Sequence, residues 1–551
     1  MRSDISTLHQ KSAKICAAPR AALSRRAFAA LGLFAAATAA VAADWTNFGG
    51  NTANTASIDS AITSANVGSL AARWVATTHG DVSARAAVVN TVVYFPDWGG
   101  TLWALSAGNG KLVWSHDFKD YVGSASQVNS RTTPAVSNNG VLYTATQEGA
   151  WLLAINAKTG ALVWKTQLEN ADPYAIISSS PTVVNGVVYT GVASTEEAAV
   201  AALFPGYTPP PCCGARGSAV AVDAKSGAIL WKTRTSPFGY TGTSVWGSSP
   251  VVDTTRNTVY VSTGNNYSHS TDPLYLACMA VAGATEAGCL SPDDHVDSIL
   301  ALDLKTGAVK WAQRLVNWNQ PGFAVDGADS WNVSCFAGPF TNCPSNPGPD
   351  YDFGSGPNLI TYQAAGGGTR TIIGAGQKSG IYYALDPDDG HLLWHTWVGW
   401  GSSLGGMEWG SASDGKRIYV AIANFYGIPN SYFPPYNVGG SAGSFAALDP
   451  ATGAVLWQVA DPNNAVDLGP LAVSNGVVYA SSMGGAPGNP TMLALDAATG
   501  NTLWSFAAGS SVNCGATIAD GTVYWGSGYA HLGIPGYTGN NKFFAFTRNG
   551  K

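Results

Sequence analysis

One motif recurs seven times along this chain: a short apolar run, a small polar residue, Thr-Gly or its equivalent, and a Trp four residues beyond the glycine. Copies end at Trp114, Trp164, Trp231, Trp311, Trp394, Trp457 and Trp504, from ALSAGNGKLVW to ALDAATGNTLW. A degenerate eighth copy leads from Val67-Gly68-Ser69-Leu70 to Trp74. Self-similarity at such intervals decides the architecture before any local propensity does. Within a copy, a short strand ends at Asp or another small polar residue. The glycine then accepts the turn, and a second strand carries the Trp. Upstream lies a further pair of strands of the type Val183 to Tyr189 or Val473 to Tyr479, joined by Asn185-Gly186 or Asn475-Gly476. Asn-Gly between apolar runs is a hairpin signal. Each unit is therefore about four antiparallel strands, one blade, and eight units predict an all-β, eight-bladed propeller with W-type repeats. The Trp74 strand is expected to complete the last blade with Thr522 to Trp525 and Phe543 to Phe546, so that no sheet edge is left open.

The spacing between copies stretches from about fifty residues to about eighty in the middle of the chain. The excess falls in Gly-, Pro- and Cys-rich loops at 193–216, 266–296 and 319–357, and long loops on a rigid scaffold are where function concentrates. A length of 551 residues with 11% charged residues, 65 Gly and 19 Trp excludes a disordered chain. A net charge of −6 carries no basic footprint for nucleic acid. Ser24-Arg25-Arg26-Ala27-Phe28, the apolar run to Ala43 and the small residues Ala40-Val41-Ala42 make 1–42 an export signal. Its paired arginines suggest the twin-arginine type, with a Sec-type signal as the alternative. The remainder, 43–551, is the propeller, expected periplasmic or secreted, without a membrane span.

With Cys16 removed, seven cysteines remain. Cys278 with Cys289, and Cys335 with Cys343, are expected to staple long loops in an oxidising compartment. Cys212 and Cys213 are adjacent, behind three prolines. Either they bridge each other in a small, strained ring, or each pairs elsewhere or stays free. If they bridge, Cys514 is left over. No C-x-x-C-H occurs, so this chain carries no covalent c-type haem.

Eight W-repeats together with Cys212-Cys213 resemble the pyrroloquinoline quinone (PQQ)-dependent alcohol dehydrogenases, and the loop pattern looks like their polyvinyl-alcohol dehydrogenase branch. The resemblance covers essentially all of the chain after the signal. It implies a cofactor lying over the ring centre between Trp246 and a Cys212–Cys213 disulfide. It implies PQQ contacts from Arg131, Ser178, Ser244 and Lys378, in the settings Val128-Asn129-Ser130-Arg131 and Gln377-Lys378-Ser379-Gly380. PQQ carries three carboxylates, for which cationic partners are expected. It implies a calcium or lanthanide ion on oxygen ligands, with Glu196, Asn265, Asp350 and Asp352 as the set and Glu197 as the competing choice for the first. Asp350, in Asp350-Tyr351-Asp352, is the implied catalytic base, Lys378 its catalytic partner, and Asp352 and Asp329 the rivals. The family's Trp before that motif is Pro349 here. The implied reaction is hydride transfer from an alcohol to PQQ, with electrons passed to a soluble cytochrome c. The alternatives are a PQQ dehydrogenase for other alcohols or sugars, or a non-catalytic propeller scaffold.

Overall fold

A computed structural model describes residues 44–201, 212–316, 328–338, 340–427 and 442–551. The expected export signal at 1–42 lies outside the described residues. Within them, strands group into eight antiparallel sheets, seven of four strands and one of five, arranged as the predicted eight-bladed propeller. Seven sheets run through 87–117, 135–167, 175–234, 251–314, 358–397, 412–460 and 472–506. The eighth joins Thr517–Ala519, Thr522–Ser527 and Lys542–Arg548 to the strand Leu70–Thr77. That seam pairs Leu70 with Arg548 and Trp74 with Ala545. The two hairpins read from Asn-Gly form with both turn residues at positive φ: Asn185 and Gly186 at 51° and 79°, Asn475 and Gly476 at 43° and 81°.

The repeat tryptophan has a role that the strand pattern alone does not show. Each indole reaches out of its own sheet and donates Nε1–H to a carbonyl of the next. Trp74, Trp114, Trp164, Trp231, Trp311, Trp394, Trp457 and Trp504 bond to Ala107, Ala157, Ala224, Leu304, Pro387, Pro450, Ala497 and Leu70, at 2.9–3.2 Å. The last of these closes the ring. The indole lies on the repeat glycine of the neighbouring blade. A Cβ on Gly453 would stand 2.4 Å from Trp394, and Gly453 has φ 72°. Glycine is demanded there twice, by the turn and by the ring stacked on it.

The repeat Asp builds the same turn wherever it occurs. Asp303 Oδ1, for example, accepts from the amides of Lys305 and Thr306 at 3.0 Å each, an Asx turn that orients the glycine. Towards the axis, Arg85 is 1% exposed and flanked by Trp45 and Phe48. Its guanidinium donates to the carbonyls of Phe48, Pro470 and Leu471, tying the start of the described chain to the entry of the sheet at 472–506.

Candidate active site

A cavity of about 560 Å³ opens at the hub, within the usual size of a small-molecule site. Of the residues singled out from sequence, Arg131, Ser178, Ser244, Trp246, Asn265, Asp352 and Lys378 line it. They sit at the entries and in the loops of four successive blades, so only the packing of blade on blade brings them together.

Trp246 forms one wall. It packs against Gly264 and Gly354, where any side chain would meet the indole at 3.1 and 3.0 Å. Its Nε1 donates to Asp352 Oδ2 at 2.7 Å, and its carbonyl accepts from Ser178 Oγ at 3.0 Å. Trp409 stands edge-on to it at 5.2 Å, and the Arg131 guanidinium lies 3.8 Å over the Trp409 ring. Arg131 is thus held by stacking, a geometry that a lysine would not reproduce.

Lys378 is the electrostatic centre. It is 6% exposed and ion-paired to Asp350 Oδ1 at 3.1 Å and to Asp352 Oδ1 at 2.7 Å. Burial pulls its pKa down, but Asp350, Asp352, Glu408 and Glu197 outweigh that and hold it well above the usual lysine value. The carboxylates feel the reverse. Burial raises the Asp350 carboxyl well above its ordinary range, against the pull of Lys378. Burial likewise pushes Glu197 up to about 8 and Glu408 up to about 7.

The two acids of the Asp350-Tyr351-Asp352 motif are engaged differently. Asp352 Oδ2 accepts the Trp246 indole, and Oδ1 is ion-paired with Lys378 without accepting a hydrogen bond among the described residues. Asp350 is ion-paired to the same Lys378 ammonium and is not among the residues that line the cavity. It gives one oxygen to Lys378, and the other accepts no hydrogen bond among the described residues. Asp350 has φ 59°, an unusual backbone for a residue other than glycine. Asp329, the rival base, explains how it is kept there. Its two oxygens accept the amides of Asp350 and Tyr351 at 3.0 and 2.7 Å. Asp329 is a brace for the motif and does not line the cavity.

Glu196 is the assignment that the geometry corrects. It and Glu197 open the four-residue helix Glu196–Ala199, so their side chains diverge by about a quarter turn. Glu196 turns away from the cavity, and its carboxylate accepts the amides of Gly214 and Ala215 at 2.8–3.1 Å. Glu197, the competing choice, is the one that lines the cavity. Nothing in the local sequence separates the two. The deciding partners lie 18 and 19 residues on.

Cys212 and Cys213 are joined to each other, Cys278 to Cys289 and Cys335 to Cys343, and Cys514 is a buried free thiol. The vicinal bridge does not itself reach the cavity wall. Its sulfurs lie 4.0 and 3.9 Å from the carbonyl of Tyr267, and Tyr267 lines the cavity. The Glu196 carboxylate therefore braces the chain directly after this bridge. Sequence reasoning also missed Tyr267, whose hydroxyl meets Ser244 Oγ at 2.6 Å, and the pair Glu408 and Trp409.

The donor set fits a hard cation. Glu197, Asp350 and Asp352 supply carboxylate oxygens. Asn265 donates its Nδ2 to the carbonyls of Trp331 and Asn266 at 2.8 and 3.1 Å, which leaves the amide oxygen for an ion. Beside them Glu408 Oε2 is buried without a hydrogen-bond partner among the described residues, and Asp297 is buried close to Asp329, Asp350 and Asp352. A cation bound among these oxygens would balance their charge. A flat quinone also fits, with Trp246 as its wall and the Arg131 guanidinium for a carboxylate.

A family model described as outer membrane protein assembly factor BamB matches residues 59–313 and 441–547. A polyvinylalcohol dehydrogenase of Pseudomonas sp is 31% identical over 504 residues, which are 85% of this chain and 70% of that protein. A second, from Sphingopyxis sp. (strain 113P3), is 28% identical over 507 residues, 85% of this chain and 69% of that protein. Among solved structures, the quinohemoprotein alcohol dehydrogenase ADHIIG from Pseudomonas putida HK5 superposes with a TM-score of 0.67 at 19% identity, over 92% of this chain and 81% of that one. At that identity the likeness speaks for the fold.

Proposed function

Because this chain belongs to the PQQ-dependent quinoprotein alcohol dehydrogenases, alongside the polyvinyl-alcohol dehydrogenases, we propose that it oxidises alcohols, secondary hydroxyls of polyvinyl alcohol among them. The observation that carries the reading is Lys378 buried between Asp350 and Asp352 at 3.1 and 2.7 Å beside a cavity walled by Trp246. PQQ, when bound, supplies the two-electron acceptor for the hydride of the carbinol carbon. Trp246 and the stacked Arg131 hold and orient it, with Ser178 and Ser244 at its rim. Glu197, Asn265, Asp350 and Asp352 would hold the cation, calcium or a lanthanide.

Asp350 takes the hydroxyl proton on the oxygen that Lys378 does not engage. Lys378 stabilises negative charge developing next to the carboxylates. Asp352 fixes the Trp246 indole and the Lys378 ammonium with one carboxylate. Glu196 and Asp329 act through the backbone they hold, the first behind the Cys212–Cys213 bridge and the second beneath Asp350.

Electrons leave to a separate carrier, for which a soluble cytochrome c is the proposed acceptor, since the chain lacks a haem-attachment motif. Export to an oxidising compartment accords with three disulfides. No helix among the described residues is long and apolar enough to cross a membrane.

The scaffold reading draws on the matching family model. A scaffold has no use for Asp297, Asp329, Asp350, Asp352 and Glu408 buried together at 9% exposure or less, because unneutralised buried charge is costly. The test is reconstitution of the purified protein with PQQ and calcium, then lanthanum, followed by dye reduction with secondary alcohols. Turnover that needs both PQQ and the ion is expected. A protein that binds neither, or binds both and oxidises no alcohol, refutes the proposal.

A further inference from the structure

The cavity has a neighbour. An open cleft of about 610 Å³ lies alongside it, lined by Gly80, Asp81, Ala530 and Asn540 among others, and the two share Trp98 and His531 as walls. Trp98 sits in the turn after the strand Val92–Pro96, and His531 in the long loop before Lys542–Arg548. Their rings stack at 3.8 Å with 16° between planes, across the first and last blades. Trp98 is nearly buried and pinned through Nε1 to Ser83 Oγ at 2.8 Å, whereas His531 is exposed.

The cleft holds one carboxylate, and that group is tied to the backbone around it. Its carboxylate, Asp81, is 7% exposed, and its oxygens accept the amides of Asn540 at 3.1 Å and Ala530 at 2.7 Å. Gly80 closes the floor, where a Cβ would stand 2.2 Å from the Gly99 amide. A stacked aromatic pair offers a face to CH and CH₂ groups. Backbone and amide groups around it exchange hydrogen bonds with hydroxyls. Nothing in this set selects for a charged partner.

We propose that this cleft is a subsite for the onward chain of an uncharged polyol polymer, one of whose secondary carbinols occupies the cavity. The proposal rests on the alcohol-oxidation reading above and adds to it a preference for chain length. A segment passing over Trp98 and His531 lays its methylenes on the rings and its alternate hydroxyls on the cleft rim. A small alcohol shares the cavity with PQQ and leaves the cleft to water.

The holoenzyme, assayed with a dye acceptor, is compared on 2,4-pentanediol, on short vinyl-alcohol oligomers and on long polyvinyl alcohol. In the wild type, kcat/KM per hydroxyl is expected to rise with length until the cleft is filled. Ala530→Trp places bulk in the cleft at an exposed position outside the cavity, and His531→Ala removes half of the platform. Ala530→Trp is expected to cut kcat/KM on the polymer about tenfold while 2,4-pentanediol stays within about twofold. His531→Ala is expected to lower the polymer value about three- to tenfold, the loss of one ring contact. A wild-type enzyme with no length dependence overturns the subsite, as does an Ala530→Trp variant that matches wild type on the polymer or loses both substrates equally. A defect seen only with cytochrome c as acceptor also overturns it, and assigns the cleft to the electron carrier. An enzyme that oxidises no alcohol of any length is a failure of the catalytic reading, and the small-diol assay reports that separately.

Discussion

The rim and the hub of this propeller obey opposite rules. At the rim, eight tryptophans make one contact eight times, each an indole reaching the next blade and a hydrogen bond to the next blade's carbonyl. At the hub no contact repeats. Asp329, Asp350, Asp352, Glu197 and Glu408 converge on the single ammonium of Lys378 from loops that have left the repeat pattern. The rim contacts are neutral, periodic and satisfied. The hub crowds its acids around one lysine. Rim contacts set stability, and hub contacts set chemistry, so substitutions in the two places should separate cleanly.

The largest separation is expected from Asp350→Asn. The amide keeps the shape but cannot take a proton, so turnover per bound PQQ should fall about 10²–10⁴-fold. Single-turnover kinetics and cofactor absorbance check this, and near-normal turnover would move the base to another carboxylate. Next comes the pair of adjacent glutamates. Glu197→Gln should raise the ion concentration for half-reconstitution about ten- to a hundredfold. Glu196→Gln should titrate with ion like wild type and instead lose about 1–3 kcal/mol of stability, by weakening charge-assisted bonds to the Gly214 and Ala215 amides. Each of the two variants serves as the control for the other, since both replace one carboxyl group by an amide at neighbouring positions.

At the rim, Gly453→Ala forces a methyl to 2.4 Å from Trp394 at φ 72°. It should cost about 1–3 kcal/mol, read as a lower Tm with kcat per bound PQQ unchanged. The smallest effect is expected for Trp457→Phe, which removes one indole donor and leaves the Ala497 carbonyl without it, about 1 kcal/mol. A loss of activity in either rim variant at full cofactor occupancy would show that rim and hub are coupled.

The same division governs what can be read from sequence. The propeller, its blade count and the seam at Trp74 are legible because strand, turn and glycine fall within a short stretch of one another. Both Asn-Gly hairpins are equally local. Trp246, Lys378, Arg131, Asn265 and Asp352 are legible from family-like settings, and they do meet at the cavity. Glu196 and Glu197 are not separable in sequence, since Gly214 and Ala215 choose between them from beyond an intervening loop. Asp329 reads as a rival base because its neighbourhood holds an Asp and a Trp. Only the fold shows its oxygens on the amides of Asp350 and Tyr351. The stack of Trp98 on His531 joins residues more than four hundred positions apart, and no window along the chain could contain it.

The seam has a bearing on the order in which this molecule is made. The strand Leu70–Thr77 is synthesised more than four hundred residues before its partner Lys542–Arg548. Until that partner is available, the earlier strand has no neighbour on its sheet, and the Trp504 indole depends on it for the Leu70 carbonyl. Contacts of such long sequence separation are the slowest to form. Seven blades can be in place while the circle is still a crescent, and a crescent does not bring Trp98 to His531 or hold Arg85 against Leu471. The pocket at the centre is therefore a product of completion: a chain cut before Lys542 loses the closure of its eighth blade and, with it, the closed hub that a cofactor would enter.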